Sequence, residues 1–560
     1  MSGFLRSVGL VLACGLMVAS CSGGVDDTPV EPLEETRRQI SEGELVGFET
    51  TQGAHAWLAV PYAAPPVGDL RWRAPRPAEM FDSPLEALAH GERCPQITNG
   101  LDEAEGLAPD LLVGDEDCLT LDIYAPPGAE DLPVMVWIHG GGNVWGRSAA
   151  YNGSRLALDQ NVIVIAIQYR LGPLGWFAHP GLRADAETEA DAAASFALLD
   201  MIAALEWVQA NASAFGGDAD RVTIFGESAG GHNVAGLMAS PLARGLFHAG
   251  IIQSGIVWSV PLDIAESGSD WQANGGLEIA SAIAGEGSSG EALRAVPLED
   301  LFQAYNVGYS MELPRMIEDG VVLPEGGILG AAATPGGFGD LPLITGTNLE
   351  EMKLYKALDP DLVRRFGLLL WPRDADSYEA IAEYPSRFWR ALAVDELANR
   401  LVASGHENVW AYRFDWNDGG SFLVTDSGQL FGAAHSMEIP FVFNHFDFYG
   451  DLDRLLFTAE NAPGRQAIAD AMGGHWGRFA YTGAPASGWQ PWTPEGALMR
   501  FDTPEAGGQQ MIAGGESLGQ ILDALVADTR LDEAQRCAVA AELTSWNPVD
   551  ADQISARIPC

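Results

Sequence analysis

Uninterrupted apolar runs along this chain predict strands that are buried on both faces. Residues 134–138 (VMVWI) and 162–167 (VIVIAI) contain no charged side chain. Two later runs, at residues 341–345 and 409–414, are also mostly apolar. Because such runs are typical of parallel strands that helices cover on both sides, they predict a central sheet inside the domain.

Segments with helical spacing separate these strands. Residues 192–209 and about 466–479 predict helices, and residues 45–48 and 56–60 predict a small antiparallel sheet near the start. The Gly- and Ala-rich stretch from about residue 263 to 340 is interpreted as insertions on the cap side of the sheet. This alternation predicts one α/β domain with a mostly parallel, twisted central sheet flanked by helices.

The first residues have the pattern of an export signal. Arg6 precedes an apolar stretch at residues 8–19 that is too short to span a bilayer. The sequence VASC at residues 18–21 resembles a bacterial lipobox and predicts a lipid anchor on Cys21. Since Ser22 follows the cysteine, the outer membrane is the favoured location, with periplasmic location or ordinary secretion as alternatives.

These features divide the chain into four segments. A signal peptide with its lipobox occupies residues 1–21, and a flexible tether occupies 22–40. The α/β domain covers residues 41–530, followed by a C-terminal extension, 531–560, which a disulfide can close.

The chain is strongly acidic. Its net charge is −46, from 77 acidic and 31 basic residues, and only Lys353 and Lys356 are lysines. Such a surface repels nucleic acid and anionic lipid headgroups. We therefore expect no nucleic-acid partner, and membrane contact only through the lipid anchor; the charge itself is attributed to solubility.

Export permits disulfides. Outside the signal the chain has four cysteines, Cys94, Cys118, Cys537 and Cys560, which allow three pairings. Proximity favours joining Cys94 to Cys118 and Cys537 to Cys560. In the chain-entropy model a loop of the first size is stabilised by about 3–4 kcal/mol.

The candidate nucleophile is Ser228, in the sequence GESAG at residues 226–230. A short β-type run precedes it and a helix-compatible segment follows, which is the order of a nucleophile elbow in an α/β-hydrolase. Residues 515–519 (GESLG) match the same motif around Ser517. No β-branched run leads into Ser517 and no histidine follows it, so we predict that Ser517 is not a nucleophile.

Donors for an oxyanion are predicted just after the apolar run at 134–138. The sequence HGGG at residues 139–142 matches the loop whose backbone N–H groups face the tetrahedral oxyanion in such hydrolases. The N–H of Ala229, directly after the nucleophile, would be a further donor. Taken alone, the stretch could also be a plain glycine-rich turn.

The general base should be a histidine downstream of Ser228. The candidates are His232, His248, His406, His435, His445 and His475. His435 lies in a small-residue loop that suits a base beside the substrate. His435 and Glu438 could also be read as metal ligands, but no third ligand is evident, so we expect no metal. The acid that orients the base should follow the run at 341–345, where the pattern does not choose between Glu350 and Glu351.

Several stretches together resemble the type-B carboxylesterase/cholinesterase family of α/β-hydrolases. They are EDCLTLDIYAP at 116–126 and VTIFGESAGG at 222–231, with shorter matches at 61–71, 168–172, 253–255 and 475–483. The resemblance spans roughly residues 40–505.

This resemblance implies roles for individual residues. It implies Ser228 as nucleophile, Glu351 as acid and His435 as base, with Ser254 close to this triad. It further implies Gly141, Gly142 and Ala229 as oxyanion donors and Cys94–Cys118 as the family's first disulfide. One position departs from the family pattern, because Met352 stands where a glycine usually follows the acid.

The expected activity is hydrolysis of a small-molecule carboxylic ester through an acyl-enzyme, with no cofactor. Residues 95–117 contain no aromatic side chain of the kind that binds choline in cholinesterases, so a broad carboxylesterase is expected. A non-catalytic binding or adhesion module is the alternative, as are amidase, thioesterase and lipase activities of the same triad. The oligomeric state stays open.

Overall fold

A single large sheet organises the protein. The computed structural model describes residues 30–98, 102, 107–305, 313–367, 369–546 and 550–560. The predicted signal peptide, Cys21 and the first part of the tether lie outside these residues. The sheet has 11 strands, which we label in chain order: β1 Phe48–Glu49, β2 His55–Pro61, β3 Thr120–Ala125, β4 Leu132–Ile138, β5 Ile163–Ile167, β6 Gly217–Glu227, β7 Ala249–Gln253, β8 Leu343–Asn348, β9 Val409–Phe414, β10 Ala497–Phe501 and β11 Gln510–Ala513.

The sheet is parallel in its centre and antiparallel at its margins. Its spatial order is β11-β10-β9-β8-β7-β6-β4-β5-β3-β2-β1. The strands from β10 through β5 pair in parallel, whereas β11, β3, β2 and β1 are antiparallel to their neighbours. Every residue of β4, β5 and β7 is buried, as expected for strands covered on both faces. The predicted α/β-hydrolase architecture is confirmed.

Helices cover both faces and fill the long connections. The α-helices are Ser154–Gln160, Gly172–Gly175, Pro180–Ala184, Phe196–Asn211, Ala229–Ala239, Leu262–Ser267, Gly276–Ala284, Gly290–Arg294, Leu298–Ala304, Gly327–Ala332, Lys353–Lys356, Ala375–Arg390, Glu396–Ala403, Ser427–Leu430, Ile439–Val442, Asp453–Leu456, Ala462–Thr482, Leu518–Ala527, Glu533–Trp546 and Ala551–Arg557. The connection between β7 and β8 holds the predicted insertions as short helices. Among the described residues, no helix combines the length and apolar character that a membrane span requires.

Small strand pairs lie outside the large sheet. They are Arg38–Ile40, Gly43–Val46 and Leu85–Glu86 in a three-stranded sheet, and the two-stranded pairs Gln96–Ile97 with Leu112–Val113, Ser259–Pro261 with Met316–Glu318, Val363–Phe366 with Leu369–Pro372, and Ser421–Phe422 with Thr425–Asp426. In the run at 45–48, residues 45 and 46 lie in the three-stranded sheet, whereas Phe48 in β1 pairs antiparallel with Ala56 in β2. The predicted antiparallel pairing of the two runs is therefore confirmed at Phe48, but the prediction that they form a separate small sheet is wrong. The strand His55–Pro61 pairs with β3 and so extends the large sheet instead.

Folded structure begins earlier than predicted. A short helical turn at Glu34–Thr36 and the strand Arg38–Ile40 lie within the predicted tether, and Thr36 and Ile40 are buried. The reason is local, since the Thr36 side chain accepts a hydrogen bond from the backbone N–H of Gly47 at 2.8 Å. The boundary at residue 41 is therefore corrected to about residue 34.

The C-terminal extension packs into the same unit, which comprises Pro32–Cys560. Leu543 and Ile554 lie in the main hydrophobic cluster. Lys356 forms an ion pair with Glu542 on the helix Glu533–Trp546, at 2.7 Å. The structure joins Cys537 to Cys560 and Cys94 to Cys118, with Cα atoms 5.7 and 5.1 Å apart.

Candidate active site

Ser228 stands on a sharp turn between β6 and the helix Ala229–Ala239. Its backbone has φ 57° and ψ −123°, a left-handed conformation that is rare outside glycine. The close packing at this turn explains the flanking glycines, because a Cβ on Gly230 would lie 1.9 Å from the carbonyl oxygen of Ile138. A Cβ on Gly226 would lie 2.6 Å from the same oxygen. The local sequence therefore produces the strained, partly exposed serine that a nucleophile elbow requires.

The glycine loop after β4 passes directly beside Ser228. A Cβ on Gly140 would lie 3.2 Å from the Cβ of Ser228. Gly141 has φ 102°, and a Cβ there would lie 2.1 Å from the carbonyl oxygen of Trp145. Only glycine fits such a position, so the loop can approach a bound substrate closely.

His139 packs on Tyr169 and so helps to hold the backbone of this loop. Its ring stacks on Tyr169 with centroids 4.3 Å apart, and the Tyr169 hydroxyl donates to the His139 carbonyl at 2.6 Å. Burial lowers the pKa of His139 to about 4, so the ring is neutral. His139 thus has a packing role in fixing the backbone of the loop.

Glu351 and His435 meet through a short hydrogen bond. Glu351 Oε2 lies 2.6 Å from His435 Nδ1, and both side chains are buried. The other carboxylate oxygen accepts hydrogen bonds from the hydroxyls of Ser254 (2.7 Å) and Thr347 (2.6 Å) and from the N–H of Asn348 (2.7 Å). With both oxygens held, the carboxylate can orient the imidazole ring.

The neighbouring carboxylate, Glu350, points elsewhere. It forms an ion pair with Lys353 at 2.7 Å and accepts a hydrogen bond from the N–H of Ala433 at 3.0 Å. The sequence pattern did not choose between Glu350 and Glu351. In the structure, Glu351 is the one that faces His435.

Met352 fits its position without disturbing this loop. Its backbone has φ −78° and ψ −12°, which any residue adopts, and its side chain is buried. Its N–H donates to the Ser386 hydroxyl at 3.0 Å. The backbone at this position therefore does not need the glycine that the family usually has.

The second imidazole nitrogen of His435 faces Glu227 and the nucleophile's turn. Nε2 lies 3.2 Å from Glu227 Oε1, and in the described part of the chain no hydrogen bond joins it to Ser228 Oγ. Glu227 and Ser228 are adjacent in the chain, so Nε2 lies beside the turn where a hydrogen bond between base and nucleophile would form. The hydrogen bond between a catalytic base and its nucleophile is often long or poorly aligned before substrate binds.

Three buried carboxylates surround this histidine. Burial favours the neutral imidazole, but the charges of Glu227 and Glu351 outweigh it and raise the pKa of His435. Burial raises the pKa of Glu227, and likewise that of Glu438, whose oxygens accept from Asn348 (2.6 Å) and Gln253 (3.2 Å). The sequence analysis assigned no role to Glu227, although a charged residue at the buried end of a strand is the signal that could have indicated one.

Trp389 is a further site residue that the sequence analysis missed. Its ring centroid lies 4.7 Å from that of His435, and its indole N–H donates to the Ser254 carbonyl at 3.0 Å. On another side it meets Trp546 of the C-terminal extension edge-on, with centroids 5.5 Å apart. No local pattern connects Trp389 with these three partners, because all four residues lie far apart in the sequence.

The second motif match, around Ser517, has a different structure. A strand does precede it, because β11 pairs with β10, although the sequence analysis found no β-branched run leading into Ser517 and predicted no strand there. However, Ser517 is exposed, has an ordinary extended backbone (φ −89°, ψ 155°), and caps the helix Leu518–Ala527 in a capping box with Gln520. Its role in the structure is that of a helix cap.

Three of the other candidate histidines contact groups outside the triad. His232 contacts the Trp258 carbonyl (2.6 Å), His406 the Leu341 carbonyl (2.8 Å) and His475 the Gln509 side chain (2.8 Å). Within the described ranges, no group of three or more His, Cys, Asp or Glu side chains is arranged to hold a metal ion.

Comparisons with known proteins find one family of enzymes. A family model described as the carboxylesterase family matches residues 34–365. The para-nitrobenzyl esterase of Bacillus subtilis (strain 168) is 34% identical over 465 residues, which cover 78% of this chain and 88% of that protein. A human cocaine esterase is 32% identical over 523 residues, covering 86% and 89%.

Solved structures agree with this. A thermophilic PNB esterase superposes with a TM-score of 0.69 at 29% identity, covering 87% of this chain and 99% of that one. A carboxylesterase from Geobacillus stearothermophilus gives a TM-score of 0.67 at 27% identity, with the same coverage.

Proposed function

Because the chain belongs to the carboxylesterase family and is an ester-hydrolysing enzyme of that family, we propose that Ser228, His435 and Glu351 form its catalytic triad. The observation that carries this proposal is the 2.6 Å bond between Glu351 and His435, beside a serine held at φ 57°. Ser228 follows β6, Glu351 follows β8, and His435 lies in the connection after β9. All three therefore lie beyond the carboxyl ends of parallel strands, where open α/β sheets place their ligands.

The proposed reaction is acyl transfer to serine. His435 Nε2 takes the proton of Ser228 Oγ, which attacks the carbonyl carbon of the ester. The tetrahedral oxyanion is stabilised by the N–H groups of Gly141, Gly142 and Ala229, each of which is worth about 2.7–4 kcal/mol in comparable sites. His435 then gives the proton to the departing alkoxide.

Water completes the cycle by hydrolysing the acyl-enzyme. His435 again accepts a proton, now from the water, and returns it to Ser228 Oγ when the acid product leaves. Throughout, Glu351 keeps Nδ1 protonated and the ring oriented. Its three further hydrogen bonds, from Ser254, Thr347 and Asn348, hold the carboxylate in the position from which it orients the ring.

The test is hydrolysis of p-nitrophenyl esters from acetate to palmitate by protein that begins after Cys21. We expect wild type to cleave them and Ser228→Ala to lose activity by several orders of magnitude. Ser517→Ala is the matched control, because it removes the serine of the other motif match and should stay active. A result in which Ser228→Ala keeps wild-type activity would overturn the assignment.

Labelling with an organophosphate distinguishes the alternative functions. A non-catalytic binding module would not react, whereas the proposed enzyme should be labelled on Ser228 alone. Parallel assays with amide and thioester analogues of the best ester then rank amidase, thioesterase and lipase activities, which use the same machinery.

We also propose export and anchoring through a lipid on Cys21. The lipobox-like sequence supports this, as do the two disulfides, which suit an oxidising compartment. Metabolic labelling with a palmitate analogue should mark wild type and leave Cys21→Ala unmarked and released from membranes. Equal membrane association of both proteins without label would contradict anchoring.

A further inference from the structure

Arg315 is a buried cation held between two indole rings. Its side chain belongs to a residue that is only 5% exposed. The guanidinium carbon lies 4.7 Å from the ring centroid of Trp258 and 5.1 Å from that of Trp271, over each ring. Such stacking satisfies the faces of a guanidinium but leaves its N–H edge for other partners.

Two nitrogens of the guanidinium have no hydrogen-bond partner in the part of the chain that the structure describes. Within the described residues, Nε and Nη2 of Arg315 are buried without a hydrogen bond, and no carboxylate pairs with the side chain. Burial lowers its pKa to about 10, so it is still charged at neutral pH. By contrast, Arg170 is equally buried but binds Asp200 through both Nε and Nη2. A buried charge is costly unless it is paired, so an unpaired one points to a ligand.

Arg315 lies next to the proposed catalytic machinery on two sides. On one side is His232, one helical turn after Ser228, whose Nε2 contacts the Trp258 carbonyl at 2.6 Å. Burial, with a smaller contribution from the charge of Arg315, lowers the pKa of His232 to about 4.

On the other side is the glycine loop. Leu313 Cδ2 lies 2.7 Å from the position of a Cβ on Gly142. Leu313 precedes Arg315 by two residues, so their Cα atoms are at most about 7 Å apart. The segment that carries Arg315 therefore packs against the loop that is proposed to hold the oxyanion of the ester.

We propose that Arg315 binds a carboxylate carried by the ester substrate, remote from the scissile bond. The guanidinium edge presents parallel N–H donors that match the two oxygens of a carboxylate. The protein's net charge of −46 repels anions in general, so a preference for an anionic ester has to come from a local cation of this kind. This inference rests on the proposed ester hydrolysis at Ser228.

The first experiment compares esters that differ only in charge. The p-nitrophenyl half-esters of glutaric to suberic acid are paired with their neutral monoamides, after subtraction of enzyme-free blanks. A second arm uses 4-acetoxybenzoate and 4-acetoxybenzamide, which place the carboxylate on the alcohol side. We expect at least a tenfold higher kcat/KM for the anionic member in one arm, and the arm identifies which part of the ester Arg315 reads.

The second experiment tests Arg315 itself. In Arg315→Met the ratio of anionic to neutral kcat/KM should fall at least tenfold, mainly through KM, and Arg315→Lys should restore part of it. Arg400→Met, which removes an exposed arginine, should leave the ratio at its wild-type value.

The outcomes separate this inference from the proposed function. If wild type hydrolyses the neutral esters through Ser228 but shows no anionic preference in either arm, the inference is overturned while ester hydrolysis stands. A preference that Arg315→Met and Arg315→Lys both retain in full would also overturn it. If no ester is cleaved at all, the proposed function fails first. Should Arg315→Met not fold, the wild-type ratios and Arg315→Lys decide.

Discussion

Glu351 and Glu350 are neighbours in the chain but have separate partners. Glu351 bonds to His435 Nδ1 at 2.6 Å, whereas Glu350 forms an ion pair with Lys353 at 2.7 Å. The pair therefore offers a matched comparison, since the same substitution at adjacent positions removes either the orienting charge or a peripheral one.

Glu351→Gln should lower kcat/KM by about 10³–10⁴-fold, because the amide cannot hold the imidazole in the productive tautomer. Glu350→Gln should cost less than about tenfold, since Lys353 keeps a second partner, Glu379, at 3.0 Å. Steady-state kinetics on a p-nitrophenyl ester check both. Equal losses at the two positions would contradict the assignment of Glu351.

The pH profile should report the carboxylates around His435. The neutral imidazole is the active base, so kcat/KM rises with pH through the pKa of His435. Glu227 and Glu351 raise this pKa, which places the acidic limb above the ordinary value of about 6.5.

Glu227→Gln removes one of the charges that raise the pKa of His435. The limb should therefore move to lower pH, as measured from kcat/KM between pH 5 and 10 in constant ionic strength. Glu350→Gln serves as the control, and the acidic limb of its profile should stay at the wild-type pH. A shift of the acidic limb of Glu227→Gln to higher pH would contradict the prediction that the charge of Glu227 raises the pKa of His435.

Much of the central sheet could be predicted because its strands are buried on both faces. The run at 409–414 matches Val409–Phe414, and residues 134–138 lie within Leu132–Ile138. The edge strand Gln510–Ala513 was missed, since an edge strand is partly exposed and this four-residue segment acquires strand character only by pairing with β10.

The site was predictable where its residues are close in sequence or share a motif. Ser228 and the glycine loop follow from local spacing, and the resemblance added Glu351 and Ser254. Trp389 and the contact between Glu227 and His435 depend on how separate segments fold together, so no spacing along the chain could reveal them.

Met352→Ala should lower the free energy of unfolding by about 2–5 kcal/mol, because it removes a buried side chain. Met80→Ala is the control, since Met80 is 70% exposed and should change stability by less than about 0.5 kcal/mol. Denaturant unfolding measures both. The activity of folded Met352→Ala should stay well above that of Glu351→Gln, because Glu351 keeps all its hydrogen bonds; a comparable loss would mean that Met352 positions the acid.

The C-terminal disulfide should protect the site as well as the fold. Replacing both Cys537 and Cys560 by serine should cost about 3 kcal/mol of stability in the chain-entropy model. Because Trp546 packs on Trp389, which contacts His435, loosening of the helix Glu533–Trp546 should impair catalysis first.

Heating the Cys537→Ser/Cys560→Ser variant should thus abolish activity at a lower temperature than it abolishes the far-ultraviolet circular dichroism signal. In wild type the two transitions should lie closer together. Coincident transitions in the variant would show that the extension is not coupled to the site.

The two lysines have a practical consequence. Lys353 is 3% exposed and its amine is bound by Glu350 and Glu379, while that of Lys356 is bound by Glu542. Amine-directed reagents such as succinimidyl esters or aldehyde-activated resins therefore meet no freely accessible lysine side chain on the native enzyme. Immobilisation has to rely on other functional groups, and lysine labelling instead becomes a chemical reporter of when the loop beside Glu351 or the docked C-terminal helix opens.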